Sequence, residues 1–64
     1  MKIRYDKESD ILYIRLSDNA ITESDEDNPG IILDFDADRN VVAIEVLQAS
    51  IKLPHPDIVE YEVV

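Results

Sequence analysis

Sixty-four residues with no cysteine and a formal net charge of −9 leave room for one small domain, without a disulfide staple. A phosphate-backbone partner is not expected either, since nucleic acid would be repelled. A domain of this size buries only about 60% of its unfolded-chain surface, so a structural metal or a second copy of the chain could supply the missing stabilisation.

The first element is a β-hairpin over about residues 2–16. Four of the six basic residues, Lys2, Arg4, Lys7 and Arg15, fall here. Setting Asp6 opposite Ile11 across the loop Lys7-Glu8-Ser9-Asp10 puts Tyr5 opposite Leu12 and Ile3 opposite Ile14. The apolar side chains then share one face, and Lys2, Arg4, Tyr13 and Arg15 share the other. A slip of one residue would mix the two sets. Next, Ala20–Ser24 is expected to form a short edge strand with Ile21 inward. Asn28-Pro29-Gly30 reads as a turn around the only glycine.

A second hairpin follows over about 31–47. YDKESDILYIRL (5–16) aligns without gaps on FDADRNVVAIEV (35–46) at an offset of 30 residues. The matching register sets Phe35 opposite Val42, Leu33 opposite Ile44 and Ile31 opposite Val46. The copies differ in charge, with Arg4 matched by Asp34 and Arg15 by Glu45, so adjacent hairpins could form cross-strand ion pairs at these positions. The strand 41–47 is apolar on both sides, which is the mark of a central strand. Val41, Ala43 and Leu47 on its second side form the expected interface of a homo-oligomer.

The remaining segment, 48–64, begins with a possible helical turn around Gln48–Leu53 and is then broken by Pro54 and Pro56. DIVEYEVV alternates, so a C-terminal strand is expected over 58–63. Residues 1–64 thus read as a single, mainly β domain. It is an antiparallel sheet of two repeated hairpins plus a short edge strand and a C-terminal strand. No apolar run is long enough to span a bilayer, and Met1 leads into charged residues with no signal-peptide core. The expected location is cytoplasmic, with no membrane partner.

The chemistry is sparse. Asp34, Asp36, Asp38, Asn40 and Glu45 occupy positions one, three, five, seven and twelve of a calcium-loop spacing. Arg39 stands where that loop needs glycine, the flanks read as strands, and the first copy carries arginines at the first and last ligand positions. A specific calcium site is therefore not expected, and weak divalent-cation binding at Asp34, Asp36, Asp38 and Glu45 is the residual alternative. His55, the single histidine, sits between prolines and reads as a solvated loop residue. No serine has a plausible base, no glycine loop cradles phosphate, and the chain is small for an enclosed pocket. Neither enzyme activity nor a cofactor is expected.

YDKESDILYIRL, GIILDFD and NVVAIEVLQAS together resemble a widespread family of small bacterial and archaeal proteins, a domain of unknown function. Its pattern runs Y-D-x-x-x-D-x-L-Y-I-x-L, then G-x-I-x-D-x-D, then N-V-V-G-I-E-I-L-x-A-S. The resemblance covers residues 1–50, from Tyr5, Asp6 and Asp10 through Gly30, Asp34 and Asp36 to Asn40, Glu45, Ala49 and Ser50. The family often has glycine where Arg39 and Ala43 stand, which implies a different turn type at Arg39. At Ala43 it implies close packing by a neighbouring backbone or ring such as Tyr13. The resemblance implies a fold but no established activity. Some similar genes look like partners of small basic ribonuclease-like toxins, which implies an antitoxin role. The expected partners are accordingly a second copy or a basic protein. A basic protein would be bound through Asp18, Glu23, Asp25, Glu26, Asp27, Asp34, Asp36 and Asp38. The alternative is a structural, homo-oligomerising domain.

Overall fold

The hairpins close where short polar runs interrupt the apolar alternation. The computed structural model describes residues 1–64 and contains β1 (Lys2–Asp6), β2 (Ile11–Arg15), β3 (Glu23–Asn28), β4 (Ile31–Phe35), β5 (Val41–Leu47) and a single turn of helix, α1 (Ala49–Lys52). The strands form one antiparallel sheet in the order β1-β2-β5-β4-β3, with β5 at its centre. No helix is long and apolar enough to cross a membrane.

The register follows the parity of the apolar residues. Ile3 faces Ile14 and Tyr5 faces Leu12 in the first hairpin, and Leu33 faces Ile44 and Ile31 faces Val46 in the second. Where the hairpins abut, Ile14 lies opposite Ile44, its own equivalent in the repeat. The duplicated units are thus related by a pseudo-twofold axis normal to the sheet, passing between these two isoleucines. The copies part company at their loops. Asp10 takes the left-handed conformation in the first (φ 58°) and Arg39 in the second (φ 66°). A bulge sets Phe35 opposite Val41 instead of Val42. Arg39 occupies a backbone conformation that glycine adopts without strain.

Cross-strand neighbours share a face, so the register divides the sheet into two surfaces. The core face carries the rows Ile3–Ile14–Ile44–Leu33 and Tyr5–Leu12–Val46–Ile31. Gln48, at φ 50°, turns the chain out of β5 so that α1 folds back over the second of these rows. Ala49, fully buried, joins Leu12 and Val46, with Tyr5, Ile14, Ile31, Ile44 and Leu53 packed around them. The open face carries the rows Lys2–Arg15–Ala43–Asp34–Ser24 and Arg4–Tyr13–Glu45–Ile32.

Three expectations are corrected. The edge strand is Glu23–Asn28, not Ala20–Ser24, because the Pro29-Gly30 turn sets its register on β4. Residues 20–22 belong to the connection crossing from β2 to β3, and Ile21 is exposed. Segment 58–63 is not a strand in the protomer, because alternation cannot supply the partner edge that a strand needs. The arginines do not pair with Asp34 or Glu45. Arg15 lies opposite Ala43 and donates to the carbonyls of Ser17 (2.7 Å) and Asn19 (2.8 Å) and to the Tyr13 hydroxyl (3.1 Å), which fixes the crossing loop.

Candidate functional site

Three aspartates of the repeat, Asp6, Asp10 and Asp36, hold backbone groups. Asp6 Oδ1 accepts the N–H groups of Glu8 (3.0 Å) and Ser9 (3.4 Å) in the first loop. Asp10 ties the first hairpin to α1. Its carboxylate accepts the Tyr5 hydroxyl (2.7 Å), the Ser50 N–H (2.9 Å) and the Ser50 hydroxyl (2.6 Å), and its carbonyl accepts the Ala49 N–H (2.9 Å). It acts as a cap for α1 supplied from another element. The Ser50 and Tyr5 hydrogen bonds hold its pKa below the ordinary value, and the same contact raises that of Tyr5.

Asp36 does the equivalent work in the second loop. Oδ1 accepts the N–H groups of Asp38 and Asn40, both at 2.9 Å, and Oδ2 accepts the side-chain amides of Asn19 (3.0 Å) and Asn40 (3.2 Å). The Asn40 backbone hydrogen bond is the largest cause of its lowered pKa. Its oxygens face donors, and no group of three or more histidine, cysteine, aspartate or glutamate side chains converges anywhere on a common point. Within the Asp34, Asp36, Asp38 and Glu45 spacing, Asp36 caps the turn, and Asp34 and Glu45 lie on the open face of the sheet.

One pair is not absorbed by turns. Asp34 and Glu45 are diagonal neighbours on the open face of β4 and β5. Asp34 is 3% exposed and accepts the Ser24 hydroxyl at 2.5 Å, while its Oδ2 meets no other donor. Glu45 is pushed up to about 7, first by its hydrogen bond with Asp34, then by burial and by the Asp34 charge. When protonated, Glu45 has a hydrogen to donate to Asp34. The pair is legible in the sequence, since the repeat register makes these residues diagonal neighbours. The same face carries a shallow, open groove of about 300 Å³ lined by Arg4, Asp6, Ser9, Ile11 and Tyr13.

The acids predicted to bind a basic protein divide by exposure. Asp34 and Asp36 are buried and hydrogen-bonded, so they are withdrawn from that surface. Glu23, Asp25, Glu26 and Asp27 lie on β3, an outermost strand, with Asp18 and Asp38 exposed nearby in sequence. Arg39 bridges Glu23 and Asp25 while its guanidinium lies 4.4 Å from the centre of the Phe35 ring, and Glu26 accepts the Gly30 N–H at 3.0 Å. The three residues expected at an oligomer interface, Val41, Ala43 and Leu47, differ in exposure. Ala43 has no exposed surface and is closed within the protomer, leaving Val41 partly exposed and Leu47 half-buried. His55 is exposed.

The paired carboxyls, the Asp10–Ser50 anchor and the Asp36–Asn40 turn all lie within residues 2–50, the stretch that a family model matches. The chain belongs to DUF2283, a family of proteins of unknown function. The DUF2283 region spans the whole sheet and the start of α1, and leaves out the segment after Ser50. Comparison with curated proteins and with solved structures gave no match.

Proposed function

We propose that this DUF2283 domain is an acidic protein-binding module whose working surface is the outer edge of β3. The observation that carries this reading is the edge itself, where four acids in the six residues ESDEDN flank a strand paired on one side only. Unpaired backbone groups on an edge accept an added strand, and the side chains choose which one. Two copies of β3 would repel each other, so the edge rejects itself and favours a cationic strand or loop. Arg39 is the only cation in salt-bridge contact with these acids. In its most concrete form the module is an antitoxin that masks a small, basic, ribonuclease-like toxin, the role that the sequence resemblance implies.

The reading predicts binding that weakens steeply with salt and is lost when the edge is neutralised. The test is co-purification of the chain with the products of its neighbouring genes at low salt. A Glu26→Gln/Asp27→Asn variant serves as control, and partner activity is measured with and without the chain. A basic partner released by salt and by the variant supports the module. No partner at low salt, or one that binds the variant equally well, refutes it.

A further inference from the structure

The opposite edge of the sheet has the opposite charge, and the chain carries a segment that matches it. β1 is the other outermost strand, with Lys2 and Arg4 on the open face and Ile3 and Tyr5 on the core face. Segment 58–63 alternates with the same period but with acids in place of bases. Val59, Tyr61 and Val63 lie to one side and Glu60 and Glu62 to the other. In the protomer this segment forms no strand, and Val59, Tyr61 and Val63 are 55%, 76% and 79% exposed. So much exposed apolar surface on an alternating segment calls for a partner.

We propose that segment 58–63 of one copy pairs antiparallel with the β1 edge of a second copy, reciprocally, forming a homodimer by strand exchange. The register follows from the residues. With Tyr61 opposite Ile3, Val59 meets Tyr5, Glu60 meets Arg4 and Glu62 meets Lys2. Every apolar side chain then extends the core face, and every acid meets a base on the open face. A slip of one residue sets glutamates against Ile3 and Tyr5.

The direction follows from the chain path. Leu53, at the end of α1, packs against the same core cluster as Tyr5 near the C-terminal end of β1, and antiparallel pairing carries the following segment back toward Lys2. A second copy is the occupant because the chain does not close on its own edge. Pro54 and Pro56 stiffen the connection, and the Ile58 N–H is engaged in a turn on the His55 carbonyl (3.2 Å). A short, stiff hinge favours exchange between copies over closure within one. Each copy gives one strand and receives one, so the assembly closes at two, and the β3 edge remains free for the partner proposed above.

Full-length chains test this by sedimentation equilibrium. The native chain is expected at twice its 7.3 kDa mass. The Lys2→Glu/Arg4→Glu variant sets acids against acids at both exchanged strands and is expected to be monomeric. The Glu60→Lys/Glu62→Lys variant sets bases against bases and is likewise expected to be monomeric. Mixing the two variants in equal amounts restores opposite charge at both contacts, and the dimer is expected to return. That recovery also shows that each variant is folded. A native chain that is monomeric at all concentrations overturns the proposal, as does a dimer that survives both substitutions, or a mixture that stays monomeric.

Discussion

Replacing Glu45 with glutamine tests the carboxyl pair through the pH dependence of stability. Glu45 has an ordinary pKa near 4.5 and is pushed up to about 7 beside Asp34. The folded protein therefore holds a proton that the unfolded chain releases, and stability falls as pH rises through that interval. At about 1.4 kcal/mol per unit, the full rise has an upper limit of about 3 kcal/mol. Glu45 is partly exposed, and solvent screening reduces this to about 1–2 kcal/mol. Stabilisation by the pair is fully present below pH 4.5 and is lost progressively toward pH 7. Asp10 and Asp36, whose pKa values are lowered, act in the opposite sense and lose their contribution as pH falls below the ordinary aspartate value of 3.8. The native chain should therefore be most stable between about pH 4 and 5. Glutamine donates its N–H to Asp34 at every pH, so Glu45→Gln should flatten the decline and be about 1–2 kcal/mol more stable than the native chain at pH 8. Urea unfolding at fixed protein concentration, repeated from pH 4 to 8, measures both curves. An unchanged slope between pH 5 and 7 in the variant would falsify the shared proton.

Leu12, at the centre of the small core, is 8% exposed. Leu12→Ala should cost about 2–4 kcal/mol, enough to unfold much of so small a domain, and a loss under about 1 kcal/mol in urea titration would contradict the packing described. Arg39→Gly relieves a left-handed arginine worth about 1 kcal/mol but removes exposed ion pairs worth about 0–1 kcal/mol, so its net effect on stability should be small. A loss well beyond 1 kcal/mol would mean that the Phe35 and Glu23 contacts matter more than exposed contacts normally do. Asp10→Ala should release α1, seen as faster amide exchange over residues 49–53 with the sheet amides still protected; protection retained in α1 would show that packing alone holds the helix. Calcium or manganese should leave the melting temperature unchanged, because the second-loop carboxylates are committed to backbone and amide donors. A rise with metal concentration would restore the cation site.

The sequence by itself determined the sheet almost entirely. Alternation has a strict period of two, and Ile3, Tyr5, Leu12 and Ile14 reach one face in only one register. The repeat then passed the same register to Leu33 and Ile44. It also marked strand 41–47 as central, since only a strand flanked on both sides is apolar on both. What the tertiary structure decided were relations between segments that local pattern does not encode. The Asp10 carboxylate meets Ser50, 40 residues away, only because the sheet order brings the first loop beneath the start of α1. Asp34 and Glu45 read as ligands along the chain but lie diagonally on neighbouring strands, where each carboxyl meets the other and the pKa of Glu45 is raised. The tail has the right alternation for a strand yet none forms in the protomer, because a strand exists only against an edge. Periodicity reports which side of a segment is apolar, and only the assembled fold reports what stands opposite.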